Sequence, residues 1–246
     1  MYQETIPYYI DDHKFVGHLV SPEGSQKRPA IIIAHAWKGR DEFARHKAEE
    51  LAELGYVAFA ADLYGEGKVV ESDEEASALM MPLFLDREQL QSRIIAAYEI
   101  VRNHPMVDGS RIGGIGFCFG GLTIIELLRS GVDIRGVVSF HGVLGIRKGD
   151  SQARTVPIAP SIKGALLILH GYEDPLVSDE DIKRIQQEMT EANVDWQMYI
   201  YSHTVHAFTN PQVHNYEGGL SHQPKSSKRA WQAMQNFFEE VFQGND

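Results

Sequence analysis

The sequence contains a single cysteine, Cys118, set in Gly116-Phe117-Cys118-Phe119-Gly120-Gly121. A thiolate is a strong nucleophile, and a position at a helix N-terminus lowers a thiol's pKa. Arg111 to Phe117 reads as a strand and Gly120 to Arg129 as a helix, so Cys118 falls on the corner between them. A nucleophile at such a corner sits on a sharp turn, exposed above the sheet. The glycines are then needed because strand and helix backbones pass close together. A buried structural cysteine is the plainer reading of any lone Cys, but the glycine frame turns the balance. A dinucleotide-binding turn fits worse. The glycines Gly114, Gly116 and Gly120 lack the G-x-G-x-x-G spacing, and the next strand ends in Ser139-Phe140-His141-Gly142 without the expected acid.

Nucleophilic catalysis also needs a base and a group that orients the base. On a strand-turn-helix elbow the chain order is nucleophile, acid, histidine. Gly171-Tyr172-Glu173-Asp174-Pro175 follows the buried strand Ala165 to His170, and Asp174 is the expected acid, with Glu173 its nearest competitor. Ser202-His203-Thr204-Val205-His206-Ala207-Phe208 follows the strand Trp196 to Tyr201. His206 is the expected base and His203 the alternative. The pair lacks the i, i+4 spacing and the glutamate of a helical zinc motif, so no metal is expected. An oxyanion hole needs two backbone amides, one after the nucleophile and one after an early strand. Phe119 and Trp37 supply them. His35 and His141 also end strands beside the same site and are read as supports that hydrogen-bond its loops. With Tyr64, Arg87 and Asn210 they make up the candidate substrate-contacting set.

These groups must be carried by a sheet. Phe15 to Val20 alternates in strand fashion, and Ala30 to Ala34 is a continuous apolar run suited to a strand buried on both faces. Phe43 to Leu54 reads as a helix with Gly55 just past its end. Tyr56 to Ala61, Gly136 to Phe140 and Ala165 to His170 are further strands. Leu90, Ile94, Ala97 and Val101 recur at helical spacing until His104-Pro105. Ile182, Ile185 and Met189 mark another helix, and Trp231, Met234, Phe238 and Val241 a C-terminal one. Residues 66–82 read as an excursion rather than a core element, with Glu71 to Glu75 a solvated helix face. Residues 66–87 are expected to cover the site. Strand-helix alternation over 1–246 implies one α/β domain with a mostly parallel sheet covered on both faces.

Composition restricts the partners. A formal net charge of -11 disfavours nucleic acid. One cysteine excludes an internal disulfide, and the longest apolar runs are too short for a membrane. Met1 to Thr5 has neither the basic nor the apolar part of a leader. A cytoplasmic protein without cofactor is expected, a monomer or weak homodimer.

The ordered set of motifs resembles the dienelactone hydrolase family over roughly residues 10–243. The elbow around Cys118 is similar to the family's G-x-C-x-G-G. Asp62-Leu63-Tyr64-Gly65, Ser139-Phe140-His141-Gly142, His170-Gly171, Asp174-Pro175 and His206-Ala207-Phe208-Thr209-Asn210-Pro211 fall in the family's order. The resemblance implies an α/β-hydrolase fold, a Cys118-His206-Asp174 triad, oxyanion donation from Trp37 and Phe119, and a small ester or lactone as substrate. Two positions depart from the best-known branch. Ala36 stands where that branch has a glutamate, and Asn210 stands near its substrate-binding arginine, which turns the expectation away from dienelactone itself. A non-hydrolytic binding protein, a peptidase or acyltransferase, and a redox protein are the rival classes.

Overall fold

In the computed structural model, which describes residues 1–144 and 162–243, eight strands form one sheet. In chain order they are β1 (Tyr2–Ile10), β2 (His13–Ser21), β3 (Arg28–Ala34), β4 (Val57–Ala60), β5 (Val107–Phe117), β6 (Gly136–Phe140), β7 (Ala165–Gly171) and β8 (Trp196–Tyr201). Their order across the sheet is β1-β2-β4-β3-β5-β6-β7-β8. The six strands from β4 to β8 pair in parallel, whereas β1 and β2 run antiparallel at one edge. The α/β architecture expected from the alternation is therefore present.

The continuous apolar strands are central because both their faces are covered. Ile31, Ile32 and Ile33 are all fully buried, and alternate side chains enter two separate cores. One core lies under α3 (Arg87–Arg102) and α4 (Phe119–Arg129), the other under α1 (Glu42–Glu53) and α6 (Pro224–Gln243). Helix starts follow local capping chemistry. Asp41 caps α1 by accepting from the Ala44 amide, and Ser178 with Asp181 forms a capping box on α5 (Asp179–Glu191).

Two elements differ from the sequence reading. β1 alternates in burial, with Glu4, Ile6, Tyr8 and Ile10 turned inward, but only Tyr8 is fully buried and the strand holds Pro7. Proline is tolerated there because β1 is an edge strand. Residues 66–82 are not wholly an excursion. Asp73–Leu85 forms α2, whose Ala76, Met80, Leu83 and Phe84 are buried and, the larger three, part of the main core. Only its acidic first turn, Asp73 to Glu75, is the expected solvated face.

The carboxyl ends of β3, β4, β5, β6, β7 and β8 deliver His35–Trp37, Asp62–Tyr64, Cys118, His141, Asp174 and His206. In open parallel sheets this end is where ligands bind.

Candidate active site

Cys118 is the half-buried residue between β5 and α4. Its backbone has φ 57° and ψ -117°, a conformation a non-glycine residue rarely adopts. The turn is held from both sides: the Cys118 amide donates to Phe140 O at 3.1 Å, and Val143 N donates to Cys118 O at 3.3 Å. The flanking glycines have a steric cause. A Cβ on Gly116 would lie 1.9 Å from Gly120 O, and one on Gly120 would lie 2.0 Å from Ala34 O. Strand, elbow and neighbouring strand are in backbone contact, so no side chain fits. The amide of Phe119 opens α4 and points out of the helix end, where partial positive charge gathers.

Asp174 and His206 meet below solvent. The His206 Nδ1–Asp174 Oδ2 distance is 2.7 Å, and both residues are buried. The second Asp174 oxygen accepts from the Leu176 amide at 2.9 Å, which fixes the carboxylate. Burial pulls the His206 pKa down, but Cys118 and Asp174 outweigh it and carry the value up to about 10. The remaining ring nitrogen, Nε2, is buried and makes no well-formed hydrogen bond among the described residues, with the Cys118 thiol the neighbour that acts on the ring. The competitors lie elsewhere: Glu173 bonds Tyr216 and pairs with His203 at 3.3 Å, and His203 is exposed.

His206 is also gripped by a feature with no sequence signal. A short hairpin, β9 (His214–Asn215) with β10 (Leu220–Ser221), lies beside it. His206 N donates to Gly219 O and Ser221 N donates to His206 O, both at 3.0 Å. Gly219 has φ 79°, and a Cβ there would lie 2.3 Å from Pro175 Cγ. The hairpin therefore touches the segments of both base and acid.

Trp37 lies in the loop after β3, and among the described residues neither its amide nor that of Phe119 donates to another group. Tyr64 donates its hydroxyl to Trp37 O at 2.7 Å and stacks on the Phe119 ring at 6.4 Å. Tyr64 is thus a brace between the two loops that carry those amides. Asp62, fully buried, sets the brace: its carboxylate accepts from the amides of Val16, Tyr64, Gly65 and Gly67. Sequence reasoning gave Asp62 no such role. A buried acid two residues before a Tyr-Gly pair was the available signal.

The other candidates divide. His35 accepts the Leu63 amide on Nε2 at 3.2 Å, with Nδ1 2.6 Å from Ala36 O, so it ties β3 to β4 as a support. Burial holds its pKa down to about 4. His141 lies edge-on to His206 and bonds Thr209. Asn210 turns its side chain to the Gln212 amide at 3.0 Å. Arg87 is buried over the Phe84 ring, 3.6 Å from Glu126 of α4, so its charge is engaged by protein.

Residues 15–242 match the dienelactone hydrolase family. Two solved structures superpose with a TM-score of 0.88, each covering 98% of this chain and 98% of its own. One is m3DLH, at 36% identity, and the other, at 33%, is a dienelactone hydrolase-like promiscuous phosphotriesterase, P91, from metagenomic libraries. A Bradyrhizobium protein named "probable 2-oxo-3-(5-oxofuran-2-ylidene)propanoate lactonase" is 26% identical, over 78% of either chain.

Proposed function

This chain belongs to the dienelactone hydrolase family, and from that premise we propose that it hydrolyses a carboxylic ester or lactone through Cys118, His206 and Asp174. The observation that carries the reading is the strained elbow at Cys118 together with a buried 2.7 Å His206–Asp174 pair whose ring Cys118 also acts on.

His206 holds the proton given up by Cys118, and Asp174 keeps the imidazole in the right tautomer and stabilises its charge. Sγ attacks the carbonyl carbon, and the amides of Trp37 and Phe119 receive the oxyanion. The C–O bond to the leaving alcohol breaks, and that oxygen takes the proton from His206. A thioester remains on Cys118. His206 then removes a proton from water, which adds to the thioester. The C–S bond breaks, the acid departs, and the proton returns to the Cys118–His206 pair.

Sulfur restricts the substrate. A thiolate leaves a tetrahedral intermediate more readily than an amine does, so attack on an amide tends to reverse. Esters, lactones and thioesters carry better leaving groups. The lactonase named above supports the lactone class.

Turnover of short p-nitrophenyl esters by the wild type and Cys118→Ala tests the reading. Loss of at least about 10³-fold in the variant is expected. Equal rates would overturn it. A second reading, attack of the same thiolate on a phosphotriester, is favoured by the 33%-identical phosphotriesterase. It predicts that diethyl p-nitrophenyl phosphate releases p-nitrophenol and that Cys118→Ala abolishes the release.

A further inference from the structure

We propose that His141 is a positioning residue for His206, fixing the plane of its imidazole against Cys118; this deepens the hydrolase reading and rests on it. The His206 ring is held by its Cβ–Cγ bond and by Nδ1 to Asp174, both on one side, while Nε2 faces Cys118 without a well-formed hydrogen bond among the described residues. Anchored on that side, the ring can still tilt, and a tilt swings Nε2 relative to the thiol. Something must close the remaining side.

The His141 ring does so. Its centroid lies 5.0 Å from that of His206, with the planes at 70°, an edge contact. His141 is itself fixed. Its Nε2 lies 2.8 Å from Thr209 Oγ1, its ring is edge-on to Phe208 at 5.2 Å, and its amide donates to Leu169 O at 2.8 Å. Thr209 follows His206 by three residues, so base and brace share one loop. The segment also reaches the nucleophile, because Phe140 and Val143 on either side of His141 hold the Cys118 backbone. One short stretch of chain therefore touches the thiol's backbone and the base's ring.

Filling space does not account for this residue. His141 has φ 38°, which is costly for a side chain. Its Nδ1 is buried without a partner among the described residues, a desolvation cost that phenylalanine would not incur. Burial, with His206 and His170 nearby, keeps the His141 ring neutral. A neutral ring can stand against an imidazolium without repelling it. The ionisable groups around His206 are then Cys118, Asp174, His141 and His170.

The test uses two variants of the full chain. His141→Asn removes the ring but tolerates the left-handed backbone, and Thr209→Val removes only the anchoring bond. For both, kcat on a p-nitrophenyl ester is expected to fall roughly tenfold with KM within about twofold, as for a misplaced base. The rate of iodoacetamide alkylation at Cys118 at pH 7 is expected to fall below that of the wild type. A wild-type alkylation rate and wild-type kcat in folded Thr209→Val would overturn the proposal, whatever happens to the folding of His141→Asn. If alkylating wild-type Cys118 leaves ester turnover intact, the hydrolase reading itself falls, a result distinct from failure of the His141 role alone.

Discussion

His206 is raised to about 10 although burial opposes its charge, so Cys118 and Asp174 must more than repay the lost hydration. The kcat/KM on a p-nitrophenyl ester is therefore expected to stay nearly flat from pH 6 to 8, where an ordinary imidazole with a pKa of about 6.5 would titrate. Asp174→Asn keeps the shape but reverses the demand on Nδ1. It should lower kcat by about 10²- to 10⁴-fold and bring a pH dependence of kcat/KM into that window. A flat profile in Asp174→Asn would show that Asp174 does not hold the charge.

At the scale of elements, the site depends on contacts between backbones. The 214–221 hairpin holds both polar backbone groups of His206, and Gly219 lets it lie on Pro175. Gly219→Ala adds a methyl 2.3 Å from Pro175 Cγ at a φ of 79°. The expected result is a fall in kcat/KM of about tenfold or more, with a loss of stability in urea unfolding of only about 1–3 kcal/mol. Loss of stability without loss of kcat/KM would detach the hairpin from catalysis. This hairpin also marks where the sequence was unreadable. Two-residue strands have no periodicity, and a grip made by backbone groups leaves no residue-type signature. β1 was hidden because its inward face includes Glu4 and its outward face Pro7 and Tyr9, so residue type does not follow the alternation in burial. α2 was hidden by an apolar run, Ala78 to Leu85, that lacks a one-sided stripe and carries Pro82 inside it. The elbow was legible for the opposite reason: close approach there demands glycine by type. Asp174 and His206 were expected over Glu173 and His203 from their places after strands and in the motif order; the physical contrast between the two pairs is burial, which exists only once the loops are folded.

Across the whole molecule, the carboxyl end of the sheet buries neutral histidines. His35, His141 and His170 all have pKa values lowered chiefly by burial. His35 shows why the charge is resisted: its Nε2 must be unprotonated to accept the Leu63 amide. The unfolded chain binds a proton at each near pH 6.5, whereas folded His35 waits until about pH 4. Between those values the unfolded state carries more protons, so stability falls as pH falls through this window and levels off below it. For His35 alone the loss at pH 5 is of order 2 kcal/mol. His141 and His170 act in the same direction. Urea unfolding at pH 7 and pH 5 measures the sum, and His35→Gln isolates one part, since its amide oxygen can still accept from Leu63. The variant should be no more stable than wild type at pH 7 yet lose less between the two pH values. An unchanged loss would mean that His35 does not titrate in this range. The active site and the acid limit of the fold would then have to be assigned to different groups, whereas the burial common to these three rings assigns them to the same end of the sheet.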